Sequence, residues 1–259
     1  MIRHLLDDLA RDAIDPVAAA RRGMRPPLPK RFYQQASVGE RVGAYAVLLD
    51  GKTAKTTMKR ALALPERALA EAVAAEWAAQ EKVIDPATMP MTRLTQLAID
   101  RVADEAAAVA AEVAQYAGSD LVCYRALEPA GLAAAQAAAW DPVIAWAGEA
   151  LGARFELAVG VRFVAQPAAA LAAIRAEIGK FAPPFALAAL ASATTLTGSA
   201  LLALALARRR LALEETWAAA HVDEDWNIRA WGEDVDAGLR RAARLNEFTA
   251  AARLLAALA

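Results

Sequence analysis

A chain of 259 residues is long enough for one large domain or two modest ones with a substantial core. A formal net charge of -1 removes any whole-chain electrostatic case for nucleic acid or an acidic membrane, and a single cysteine excludes an internal disulfide framework or a cysteine-based zinc site. Alanine supplies more than a quarter of the residues and aromatics only 6%, so most of the chain is expected to be helical, with close helix contacts.

Met1–Ala20 carries Asp7, Asp8, Asp12 and Asp15 and has no long apolar stretch, a pattern unlike a signal or transit peptide. Arg21–Pro29 is basic and proline-rich and reads as an irregular arm, so residues 1–30 are set apart from the folded body. A strand rhythm follows. Tyr45, Val47 and Leu49 alternate with Ala46 and Leu48, and Asp50-Gly51 marks a tight hairpin. Three to five short antiparallel strands are expected between Phe32 and Leu64, on a locally positive segment: residues 1–60 hold 12 Lys/Arg against 6 Asp/Glu.

After Pro65 the period becomes helical. Leu69, Val73 and Trp77 share one face of a helix over about Glu66–Gln80. Thr92 is the expected N-cap of a helix bearing Leu94 and Leu97. Val109, Val113 and Tyr116 continue a helical face that Gly118 stops. A helix is expected from Pro129 to Trp140, and a second, with Pro142 in its first turn, to near Gly152. Phe155–Val164 reads as an extended interlude, a hairpin around Gly160. Further helices are expected over about Ala168–Phe181, Phe185–Arg209, Leu213–Trp231 and from Asp234 to the end. The fold class is therefore α+β. A small antiparallel β domain (31–65, extendable to about 90) precedes a larger all-α domain (66–259). Phe185–Ala207 is uncharged over 23 residues and is followed by three arginines. Ser192, Thr194, Thr195, Thr197, Gly198 and Ser199 interrupt it, so a buried core helix is favoured over a membrane span.

Catalytic signals are sparse. His4 and His221 are the two histidines, without metal-ligand spacing, and no nucleophile elbow, P-loop or dinucleotide fingerprint occurs. Cys123 lies in an apolar run, where an inert buried thiol is the default. Neither a catalytic group, a metal nor a cofactor is expected. The sharpest local feature is acidic: Glu214, Glu215, Asp223, Glu224, Asp225, Glu233, Asp234 and Asp236 against Arg229 alone. Trp217, His221, Glu224, Ile228 and Trp231 form one helical stripe with Trp226 beside it, so Glu224 projects among large apolar groups. Such a carboxylate is either paired within the fold or presented to a partner's cation. Acid–base chemistry by carboxylates near His221, in a small-molecule hydrolase or transferase, is the competing reading.

Several motifs occur together in order. They are Ala36-Ser37-Val38 with Tyr45-Ala46-Val47-Leu48-Leu49-Asp50-Gly51, Glu76-Trp77-Ala78-Ala79-Gln80, and Ile84-Asp85-Pro86-Ala87-Thr88-Met89-Pro90-Met91-Thr92. Then come Tyr116-Ala117-Gly118-Ser119-Asp120-Leu121, Trp140-Asp141-Pro142, Leu196-Thr197-Gly198-Ser199 and Asp223-Glu224-Asp225-Trp226-Asn227. From about Arg31 to Asp234 the chain resembles the assembly chaperones of the ATP synthase F(1) alpha subunit. The resemblance implies a β-then-α protein that binds the unassembled alpha subunit, shields the surface meant for the beta subunit, and hydrolyses nothing. Eukaryotic members of that family act in the mitochondrial matrix, and the N-terminus, unlike a transit peptide, suggests a bacterial cytoplasmic member; charge and composition give no reason to expect a nucleic-acid partner or stable membrane insertion. Asn227 and Arg229 depart from the family's glutamine and acid and lower the local negative charge. Asp223, Glu224, Asp225, Trp226, Trp231 and Trp77 are the residues expected to meet the partner.

Overall fold

The computed structural model describes residues 27–258. The arm expected over 1–30 lies outside the described residues except for its end, where Lys30 bridges Val83. Four strands form the antiparallel sheet: β1 (Ala36–Arg41), β2 (Ala44–Leu49), β3 (Lys52–Thr53) and β4 (Ala63–Leu64). β2 is central, with Val38 opposite Val47 on β1, Leu49 opposite Lys52 on β3, and Tyr45 opposite Leu64 on β4. The Asp50-Gly51 turn has both residues left-handed (φ 47° and 77°), the geometry a two-residue hairpin requires. The Asp50 carboxylate accepts the Gln34 and Gln35 N–H groups, tying the turn to the chain entering β1.

The sheet buries Val47, Leu49, Leu62 and Leu64 against Leu69, Val73 and Trp77 of α1 (Arg67–Ala78). The apolar interior then runs without interruption from Tyr33 to Leu255. Thr92 is not an N-cap. It lies inside α2 (Pro90–Leu97), and the cap comes from Glu76, whose carboxylate accepts the Met91 and Thr92 N–H groups at 2.8 and 2.7 Å and the Thr92 hydroxyl at 2.7 Å. A carboxylate at a helix N-terminus satisfies orphan donors and the helix dipole together. Glu76→Ala should therefore lower unfolding stability by about 2 kcal/mol, read by urea titration, and a cost under about 0.5 kcal/mol would refute the cap.

α3 (Ala103–Tyr116) leads through short turns to β5 (Tyr124–Arg125). The two helices expected around Pro142 are one, α4 (Ala130–Ala150). Trp140, Val143 and Ala147 are buried along a continuous face, and that burial outweighs the one hydrogen bond the proline removes. The hairpin expected around Gly160 is also absent. β6 (Ala158–Val159) pairs in parallel with β5. The expected Phe185–Arg209 helix is two, α6 (Pro184–Thr197) and α7 (Ala200–Ala207), following α5 (Ala168–Ile178). Gly198 is left-handed (φ 69°), and the Ser199 side chain caps α7 by accepting the Leu202 N–H. Asp120, fully buried, accepts the Leu201 N–H across this break at 3.0 Å. Both pieces are core, and no helix of the described residues is long and apolar enough to cross a membrane. The expected Leu213–Trp231 helix also breaks, into α8 (Leu213–Ala220) and α9 (Val222–Trp231), at His221 (φ -120°, ψ 20°). α10 (Val235–Leu258) closes the fold along α6, with Arg93 of α2 paired to Glu247.

Candidate functional site

The break at His221 divides the stripe read from the sequence. Trp217 and His221 go inward, 8% and 3% exposed, with their ring centroids 3.8 Å apart and the planes tilted by 36°. The His221 Nδ1–H donates to the Trp217 carbonyl at 2.7 Å, and burial holds the imidazole below its ordinary pKa, so it is neutral. Nε2 lies 3.8 Å from the exposed Glu224 carboxylate. Past the break, α9 turns its acids and tryptophans outward, onto α4 or toward Arg241 of α10.

Three groups of α4 seat the α8–α9 unit. The Gln136 amide donates to Asp223 at 2.7 Å while its carbonyl accepts the Ala126 N–H. Trp226 lies so close over Gly131 that a Cβ there would sit 2.5 Å from the indole. Trp140 Nε1–H donates to the Ala219 carbonyl at 2.7 Å. Asp223 and Trp226 are therefore largely committed to the fold. Asp225 is also paired, with Arg241 of α10 at 2.5 Å. Trp77, also expected to meet the partner, is turned into the core. It is 8% exposed, packs against Tyr33, and has no surface to offer a partner.

Two of the expected residues remain presented, Glu224 and Trp231. Trp231 is 86% exposed, an unusual state for the side chain with the most apolar area to bury. Both line a cleft of about 460 Å³ between α9 and the start of α10, together with Ile228, Ala237, Gly238, Arg240 and Arg241. Val235 and Leu239, 77% and 55% exposed, extend the apolar surface beyond it. The α10 contribution was missed in the sequence. Its signal was the spacing of Val235 and Leu239, which share one helical face.

The competing catalytic reading finds little support. Cys123 is fully buried, and burial together with the nearby Asp120 pushes its thiol up to about 12, so it is not a thiolate. Among the described residues no group of three His, Cys, Asp or Glu side chains could hold a metal ion.

Residues 30–148 match the family model described as ATP12 chaperone protein. The whole fold is similar to the crystal structure of a proposed chaperone from Agrobacterium tumefaciens, 46% identical with a TM-score of 0.86 over 100% of this chain and 97% of that one. It is also similar to Atp12 from Paracoccus denitrificans, 39% identical with a TM-score of 0.82 over 89% of this chain and 99% of that one. An aspartate-to-lysine mutant of the Paracoccus protein matches at 38% identity and a TM-score of 0.81. With identity at this level across nearly the full length of both chains, this protein belongs to the ATP12 chaperone family.

Proposed function

We propose that this protein binds the unassembled alpha subunit of the ATP synthase F(1) sector, covers the surface destined for the beta subunit, and releases it on assembly. It acts by binding and not by chemistry, in a bacterial cytoplasm. The observation that carries the reading is Trp231, exposed at the edge of an apolar cleft beside an acidic group in a member of a chaperone family. A subunit interface awaiting its partner is an apolar patch prone to aggregation. Its temporary cover needs an aromatic anchor with charge around it, and an affinity below that of the final assembly.

Co-expression with the alpha subunit tests the proposal. A co-purifying complex and more soluble alpha subunit are expected, and their absence sinks it. Trp231→Ala should weaken the complex by about 2 kcal/mol, some thirtyfold in Kd, without altering the melting temperature. Glu224→Lys should weaken it less, since Glu224 lies at the exposed rim. Unchanged Kd in both variants would move the client to another face.

A further inference from the structure

Two hollows meet along the C-terminal half of α10. One, of about 400 Å³, is lined in part by Glu76, Ala87, Thr88 and Asn246. The other, of about 750 Å³, is lined in part by Leu206, Arg209, Arg210, Leu211 and Leu213. Thr249 and Arg253 line both, so the two form one groove. Its far end is basic, with Arg209, Arg210 and Arg253 exposed beside the half-buried Leu211 and Leu213. Arg209 donates to the Ala256 carbonyl, and among the described residues no acid pairs with Arg210 or Arg253. The acids that line the groove are committed elsewhere: Glu76 to the Met91 and Thr92 N–H groups, Glu215 to the Ala212 N–H. The near end lies by the first described residues. The Arg31 N–H donates to the Lys82 carbonyl and the Ile84 N–H to the Pro29 carbonyl, an antiparallel pairing through Lys30 and Val83. Read backward from Pro29, such a pairing carries the chain along its partner's forward direction, toward Ala87 and Thr88, which line the groove.

We propose that residues 1–26, which lie outside the described residues, occupy this groove of their own chain, with Leu5–Asp15 seated at the arginine end. Three features of the sequence and the fold select this occupant. The direction of the chain at Pro29 is the first. Charge is the second: over residues 1–15, Asp7, Asp8, Asp12 and Asp15 outnumber Arg3 and Arg11, and the groove end they would reach presents arginines without acidic partners. Ile2, Leu5, Leu6, Leu9 and Ala13 recur at helical spacing with the aspartates off that face, so apolar residues can meet the leucines while the acids meet the arginines around them. Length is the third. The stretch from Asp15 to Pro27 reaches about 40 Å when extended. Asn246 to Arg253 takes about 10 Å along α10, so the connection crosses the first hollow with slack. Exposed ion pairs are individually weak, but the tether makes docking intramolecular, so a modest set of contacts suffices. None of this depends on what α9 binds.

Amide hydrogen exchange of the full chain, read segment by segment, is the test. The amides of Leu5–Asp15 should exchange about tenfold or more slowly than in a synthetic peptide of residues 1–26. Arg210→Glu with Arg253→Glu should remove that slowing, and so should Leu9→Asp alone. Adding Asp8→Arg and Asp12→Arg to the double glutamate variant should restore it, because each swapped charge again meets its opposite. Unchanged exchange within α10 controls for folding in every variant. Exchange of Leu5–Asp15 as fast as in the peptide overturns the proposal. Slowing that ignores the arginine reversal overturns it too, since the segment then sits elsewhere. Slowing that grows with protein concentration assigns the groove to the segment of a second copy, and overturns the intramolecular assignment. A fast-exchanging segment together with alpha-subunit binding lost in the double glutamate variant assigns the groove to the client, and likewise overturns it.

Discussion

Replacing Asp120 with alanine is expected to cost about 4 kcal/mol of unfolding stability, enough to leave a protein of ordinary stability marginal. The side chain is fully buried where the turn after α3 meets the break between α6 and α7. Its two oxygens accept the Val122 N–H at 3.3 Å and the Leu201 N–H at 3.0 Å, with further donation from the Ala200 N–H and the Ser199 hydroxyl. Alanine leaves those donors without an acceptor in a site closed to water, and each unmet donor costs about 1–3 kcal/mol. Burial outweighs the donors and raises the carboxyl pKa to about 6. Because the folded value lies above the unfolded one, the group's contribution is fully present below about pH 4 and is lost as pH rises through about 6. The stability difference between the native chain and Asp120→Asn, followed by urea titration from pH 4 to 7, should therefore shift by up to about 3 kcal/mol in favour of the asparagine variant as pH rises. A difference that is flat with pH would show that the carboxyl does not titrate in that range.

Much of the architecture was legible. The sheet was readable because alternation at Tyr45–Leu49 and the Asp50-Gly51 pair are local signals, and a left-handed two-residue turn depends on little beyond its own residues. The helices failed where a distant group decides their ends. Ser199 and Gly198 are weak breakers alone. They end α6 and start α7 because Asp120, some eighty residues earlier, collects the freed N–H groups. Thr92 had the chemistry of an N-cap, but the Glu76 carboxylate reaches α2 from another helix. Pro142 looked like a helix start because its local effect is clear, whereas the burial of Trp140 and Val143 that carries the helix past it is tertiary. The proposed site was legible only in outline. Composition located the acids and tryptophans of 223–231, yet which of them face solvent depends on a break at His221 set by packing. Asp223 and Trp226 are spent on α4 and Trp77 on the core, while Glu224 and Trp231 remain on the surface.

Truncating Trp140 should produce a loss of comparable size, and it tests how the proposed client site is held. The indole is 1% exposed, stacks beneath the Arg125 guanidinium at 5.3 Å, and donates its N–H to Ala219 at the end of α8. Arg125 in turn pairs with Asp141 on the next residue of α4 at 2.8 Å. Trp140→Ala removes a large buried side chain and orphans a buried carbonyl, for an expected cost of about 4 kcal/mol in urea unfolding. Trp140→Phe keeps most of the burial and loses only the hydrogen bond, so about 1–2 kcal/mol is expected. The phenylalanine variant is the informative one. If α4 positions the α8–α9 unit through Ala219, Asp223 and Trp226, loosening one of the three should lower affinity for the alpha subunit several-fold while the fold persists. Native affinity in a measurably destabilised Trp140→Phe protein would show instead that Gln136 and Gly131 suffice to seat α9, and that the indole serves the core alone.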